Sequence, residues 1–285
     1  MTAFDWKDIM QVRGHDIAVC SWSLRPAGMA ELIDAVRQLG LEHVQLALLP
    51  LLELDQPTRQ AQIQQLRESG LKLTATMIGF PGEDYTTIAT IRQTGGLVPE
   101  DRWPERRQLT LRAAQLSAEL GASLLTFHMG FIPASNDPLY RVLVQRAREL
   151  ASDVAAINVC LLMETGQESA SELLQFLNDL NCRNVAVNFD PANMILYGAG
   201  DPIEAIGILN RHIRHVHVKD AIASTQPRMV WGTEVPFGTG QVGPARFLDA
   251  LDKIGYRGPL AIEREAGENR LADIRAAIRA LREAQ

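Results

Sequence analysis

The stretch VAVNFDPANMILYGAGDPIEAIGILNRHIRHVHVK (185–219) decides the fold. VAVNFD (185–190) and RHVHVK (214–219) are short β-branched runs of strand length, and 202–211 between them carries apolar residues at helical spacing. Strands joined through a helix run parallel, and their crossover is right-handed. The same unit recurs outward in both directions. Strand-like runs lie at 17–22 (IAVCSW), 43–48 (HVQLAL), 72–78 (KLTATMI), 123–128 (SLLTFH), 159–164 (VCLLME) and 259–264 (PLAIER). Helical patterns alternate with them near 28–39, 57–69, 105–120, 138–157, 169–178, 243–254 and 269–283.

Eight such units close into a barrel more readily than they extend an open sheet, so the expected fold is a single (β/α)8 TIM barrel over 1–285, with 1–16 as an N-terminal extension. A doubly wound sheet is the alternative. Gly40, Gly70, Gly121 and Gly255 follow predicted helices where a left-handed cap is needed, so the punctuation agrees with the period. In the second strand, alternation turns Val44, Leu46 and Leu48 toward the helices and His43, Gln45 and Ala47 inward. In the third it turns Leu73, Ala75 and Met77 outward, with Thr74 and Thr76 inward.

A formal net charge of -6 and the lack of any Lys/Arg-rich run argue against a nucleic-acid partner. No run approaches the ~20 apolar residues of a membrane span, and the first residues lack a signal-peptide core, so a cytoplasmic protein is expected. Cys20, Cys160 and Cys182 form no C-x-x-C pair and read as buried free thiols.

The same alternation turns Glu164, Asp190, His217 and Glu263 inward at the ends of strands five to eight. Adjacent strand ends converge at a barrel mouth, and three carboxylates that close together oppose one another's ionisation unless positive charge compensates them. One divalent metal ion supplies it. Oxygen ligands with one imidazole suit Mn2+ or Mg2+ first, with Zn2+ or Co2+ behind. His128, Asn193, Lys219 and Trp22 fall beside this point and are candidate substrate contacts. His215 lies two residues deeper than His217 as a group that orients its neighbours, and Arg264 alternates toward the helices as a structural residue. GTGQVG (238–243) reads as a turn, with a phosphate cradle as the weaker alternative. Two long connections, 79–104 and 221–242, follow strand ends and are expected over the site. Their aromatics Phe80, Tyr85, Trp103, Trp231 and Phe237 suit a sugar ring.

The segments LLMETG with Glu164, FDPANM with Asp190 and Asn193, HVHVKD with His217, Lys219 and Asp220, and AIEREAG with Glu263 resemble the xylose isomerase-like barrel superfamily of sugar-phosphate isomerases and epimerases. The resemblance covers nearly the whole chain. It implies that Glu164, Asp190, His217 and Glu263 bind the metal and that Glu164 and Glu263 also move protons. His128, in FHMG, is similar to a His-x-Gly that contacts substrate in many relatives. The implied partner is a small sugar or polyol, with no nucleic acid and no membrane, and pairing as a homodimer is open.

The expected chemistry is isomerisation or epimerisation through an enediolate, with Glu164 and Glu263 as the general acid/base pair. A metal-dependent dehydratase of the inosose or dehydroshikimate type is the alternative, because free-ketose epimerases of the superfamily carry His where this chain has Asn193. An endonuclease IV-like repair enzyme is the remote one. Such an enzyme needs three zinc ions and a richer ligand set than six histidines supply, and here Gln45 and Asn193 occupy ligand positions.

Overall fold

The computed structural model describes residues 11–285. Its barrel strands are β1 (His15–Cys20), β2 (His43–Ala47), β3 (Lys72–Met77), β4 (Leu124–Phe127), β5 (Cys160–Glu164), β6 (Val185–Phe189), β7 (Ile213–Val218) and β8 (Leu260–Ile262). Every neighbour pairs in parallel, and β8 closes the ring by pairing with both β7 (Leu260↔Val216) and β1 (Leu260↔Ile17). The outer helices are α1 (Met29–Gln38), α2 (Gln56–Ser69), α3 (Trp103–Glu119), α4 (Pro138–Ala155), α5 (Ala170–Leu180), α6 (Pro202–Leu209), α7 (Pro244–Lys253) and α8 (Arg270–Glu283). The chain is a closed (β/α)8 TIM barrel, as the alternating pattern predicts.

Local chemistry accounts for these elements. Asp55, Asp137, Ser169 and Asp201 cap α2, α4, α5 and α6 through side-chain oxygens that accept helix N–H groups. Gly40, Gly70, Gly121 and Gly255 all take positive φ at helix ends, where a side chain would be strained. The core fills the layer between barrel and helices, with Phe127, Phe176, Phe189 and Phe247 among its largest fully buried side chains. Of the expected extension, 1–10 lies outside the described residues. Gln11–Val12 pairs antiparallel with the start of β1.

Two corrections concern the strands. Between β2 and β3 the register passes from Val44↔Leu73 to Gln45↔Ala75, so one extra residue interrupts the alternation. Thr74 still faces inward, reaching His215, but beyond it the parity inverts. Thr76 turns outward to Ser117 on α3, and Met77 lines the barrel mouth. The first strand also ends earlier than expected, and Trp22 lies in a 3-10 turn, Ser21–Leu24, that bends over the mouth.

The two long connections carry structure of their own. The first contains a helix, Ile88–Thr94, and the second pairs Asp220–Ile222 with Thr233–Val235. Tyr85 and Trp231 line the mouth. Phe80, Trp103 and Phe237 do not: Phe80 lies under the Arg106 guanidinium, Trp103 under that of Arg146, and Phe237 against Phe247. The three cysteines are free, Cys20 buried and the other two half-buried. Among the described residues no helix is long and apolar enough to cross a membrane.

Candidate functional site

Glu164 is the last residue of β5, His217 lies in β7, and Asp190 and Glu263 follow β6 and β8 directly. Each of the four offers a ligand atom, and these atoms lie within 4.8 Å of one another. All four residues are buried. His217 Nδ1 stands 3.3 Å from Glu263 Oε2, 3.5 Å from Asp190 Oδ2 and 3.6 Å from Glu164 Oε1. Neither His217 Nδ1 nor Asp190 Oδ2 has a hydrogen-bond partner. Buried polar atoms are rarely left unpaired, and two of them aimed at one point give the cluster a geometry that could hold a cation.

A layer of polar side chains under the four residues fixes their orientation. Gln45 Oε1 lies 2.7 Å from His217 Nε2. A carboxamide oxygen can only accept, so Nε2 carries a hydrogen and Nδ1 is the ring nitrogen turned to the carboxylates. Gln45 Nε2 in turn donates to Thr126 Oγ1 at 2.8 Å. Asn188 Nδ2 donates to Glu164 Oε2 at 3.0 Å, which leaves its Oδ1 to accept from His215 Nδ1 at 2.8 Å. Thr74 Oγ1 then meets His215 Nε2 at 3.0 Å. Burial, helped by the neighbouring His217, holds the His215 pKa well below the usual histidine value, so its ring is neutral. Supporting hydrogen bonds of this kind generally orient metal ligands.

The remaining predicted residues surround the cluster. Asn193 Nδ2 donates to Glu164 Oε1 at 2.8 Å, while its backbone N–H caps onto Asp190 Oδ1 at 2.9 Å. Trp22 Nε1 donates to Glu263 Oε1 at 2.7 Å, so its polar handle is committed to a carboxylate and its ring is left for the mouth. Lys219 is buried, with Nζ 2.8 Å from Glu263 Oε2 and 2.7 Å from Glu265 Oε2. His128 Nε2 stands 3.9 Å from Glu164 Oε1 at the rim. Arg264 turns away to Asp273 on α8 and to Glu234, as its alternation predicts.

Burial opposes charge on every member of the cluster, yet the charges outweigh it at three of four. Lys219 and His217 bring the Glu263 carboxyl well below its usual range, and His217 with His128 lowers that of Glu164. Glu263 and Glu164 pull His217 well above the ordinary histidine value. At Asp190 burial prevails, and its pKa is pushed up to about 6. Three carboxylate oxygens and an imidazole nitrogen therefore crowd one point and draw positive charge to it. The donor set fits a divalent cation of the oxygen-preferring kind.

The cleft above is about 860 Å³ and is lined by Trp22, Met77, Tyr85, Tyr197 and Trp231 beside polar Glu83, His128, Asn193, Lys219, Glu234 and Glu265. Its walls are pinned by carboxylates. Glu234 takes Arg264 at 2.7 Å and the backbone N–H groups of Glu265 and Ala266, and Glu83 takes the N–H groups of Phe80 and Gly96. The Asp220 carboxylate accepts from the backbone N–H groups of Ala221, Gly238, Gly240 and Val242. The GTGQVG turn is thus organised around a carboxylate of the chain itself, which rules out the phosphate cradle weighed from its glycines. Gln45, Asn188 and Asp220 are among the contributors that sequence reading did not assign. The first two lie inward by strand alternation, whereas nothing local marks the role of Asp220.

The barrel has counterparts among known proteins. The profile of the xylose isomerase-like TIM barrel family matches residues 33–284, and the chain belongs to that family. It is similar to a xylose isomerase domain protein from Planctomyces limnophilus, with 34% identity, a TM-score of 0.85, and 94% of this chain and 95% of that one covered. Two more distant structures share the fold. One is D-psicose 3-epimerase with D-tagatose from Clostridium cellulolyticum H10, at 16% identity, TM-score 0.70, covering 94% and 97% of the two chains. The other is the probable 3-DHS dehydratase of petrobactin synthesis from Bacillus anthracis, at 18% identity, TM-score 0.67, covering 93% and 98%. No protein of curated function matches the chain.

Proposed function

We propose that this protein is a divalent-metal-dependent isomerase or epimerase of a sugar or keto-sugar that moves a proton beside a carbonyl. The observation that carries the reading is the buried cluster of Glu164, Asp190, His217 and Glu263, in which His217 Nδ1 and Asp190 Oδ2 lack a hydrogen-bond partner. These four residues would hold one Mn2+ or Mg2+. When bound, the cation supplies positive charge against the oxygen that becomes negative as the neighbouring carbon loses its proton.

The side chains divide the remaining work. Glu164, held by Asn188 and Asn193, and Glu263, held by Trp22 and Lys219, are both kept ionised and fixed in direction. One accepts the proton from carbon and the other returns it, and the direction of return decides between epimerisation and reversal. Lys219 and His128 offer donors to substrate oxygens, and the aromatic walls exclude water from the reacting carbon.

A dehydratase that begins with the same proton abstraction is the second reading. Asn193 favours it, since it stands where the free-ketose epimerases of the superfamily carry His. Solvent deuterium separates the possibilities. The manganese-loaded protein is incubated with a panel of ketoses, aldoses and keto-polyols in deuterated water, with Glu164→Gln as control. Deuterium at the carbon beside the carbonyl without loss of water supports the isomerase, and loss of water supports the dehydratase. No exchange with any member, or full activity in Glu164→Gln, contradicts both.

A further inference from the structure

The charge and shape of the cleft bear on what it accepts, given the proton-transfer reading of this site. Among the described residues that line it, Lys219 is the only lysine or arginine, and its ammonium is already shared between Glu263 and Glu265. Glu83 and Glu265 add acidity to the lining, and Glu234 is already paired with Arg264. The backbone N–H groups of the neighbouring glycine turn are taken by Asp220. A phosphate or carboxylate brought here meets like charge and no free donor cluster, at a cost that grows in a partly dry cleft.

The cleft is also larger than a lone sugar ring requires, since roughly 300–1,000 Å³ encloses drug-sized ligands. Beside it is a second hollow of about 350 Å³, between the segment leading into α1 and the short helix Leu49–Leu52. The two share Trp22, Ala47 and Pro50 as a common border. Met29, Leu32, Leu46, Leu51 and Leu54 make its lining apolar, and among the described residues Arg25, exposed, is its one charged residue. A ligand whose sugar ring reaches the cluster thus has a greasy compartment next to it, beyond the edge of Trp22.

We infer that the substrate is an uncharged sugar or polyol bearing an aromatic substituent that lodges in this hollow, rather than a sugar phosphate. Calorimetric titration of the manganese-loaded protein tests it with matched probes: methyl glycosides, p-nitrophenyl glycosides and 6-phosphates of glucose, galactose and mannose. The aryl glycoside of at least one sugar is expected to bind tenfold or more tighter than its methyl counterpart, and the phosphates more weakly than either. Ala27→Trp, at an exposed position on the rim, is expected to remove the aryl advantage. Equal affinity for aryl and methyl glycosides, tightest binding by a phosphate, no binding by any probe, or an aryl advantage unchanged in Ala27→Trp overturns the inference. Deuterium exchange keeps the two readings apart. The expected affinity ranking without exchange in any substrate removes the proton-transfer reading alone, whereas exchange confined to phosphates removes the present one alone.

Discussion

Lys219→Met isolates the charge that stands beside the proposed proton-moving glutamate. The lysine is 2% exposed, 2.8 Å from Glu263 Oε2, 2.7 Å from Glu265 Oε2 and 3.7 Å from Asp190 Oδ2. Methionine keeps the apolar stem and removes the ammonium. Breaking a buried ion pair costs about 3–5 kcal/mol because the remaining charge is stranded. Here the Glu265 side chain is 52% exposed and recovers water, and His217 still faces Glu263 at 3.3 Å. The expected loss in chelator-treated protein is therefore about 2–3 kcal/mol, or roughly 5 °C in Tm.

The pH dependence carries a sign. Burial opposes the shift at Glu263, but Lys219 and His217 bring its folded pKa well below the usual value. Its contribution is present above the unfolded pKa of about 4.3 and is lost as pH falls through the folded value. The Lys219 pKa is raised well above its usual value against the effect of burial, chiefly by Glu263 and Glu265. Its contribution is complete below about pH 10 and is lost only at higher pH. The gap between wild type and variant should thus be widest from about pH 5 to 10 and narrow below about pH 4. Urea unfolding at several pH values measures it. A variant as stable as wild type at neutral pH, or a gap of equal size in acid, refutes the reasoning.

Gln45→Leu removes the acceptor that fixes the hydrogen on His217 Nε2, and it should weaken manganese binding about 10–100-fold with little change in fold, whereas Gln45→Glu retains most of the affinity. Titration calorimetry reads both. Glu168 is buried with Oε2 unpartnered, and burial pushes its carboxyl up to about 8. A carboxyl raised on folding stabilises fully below its unfolded pKa and loses that contribution as pH rises through about 8. Glu168→Gln should therefore gain roughly 2–4 kcal/mol over wild type near pH 9 and almost nothing near pH 4, as measured by urea unfolding.

Much of this architecture is legible in the sequence, because strand and helix periods differ and the helix-end glycines punctuate them. The convergence of Glu164, Asp190, His217 and Glu263 follows from alternation alone once the ring is closed. Alternation fails where the chain adds a residue: the irregularity opposite Val44 sends Thr76 to the helices and Met77 to the mouth. Trp22 escapes for a related reason, since the strand gives way to a 3-10 turn that no local signal announces. The glycines of 238–243 suggest an anion cradle when read locally. The residue that occupies their N–H groups, Asp220, is separated from them by a β-hairpin, and pairings of that range are not written in spacing. The same holds for Phe80 and Phe237, whose loops fold them into the core, and for Trp103, half-buried at the start of α3, while Tyr85 and Trp231 stay at the cleft.

The central claim is that four strand-end residues form one divalent metal site. Titrating manganese into chelator-treated protein tests it most directly, with Asp190→Asn and His217→Gln alongside. One ion per chain in the wild type, with binding lost or weakened at least a hundredfold in both variants, is the predicted result. Absence of binding, or equal binding in wild type and both variants, contradicts the account.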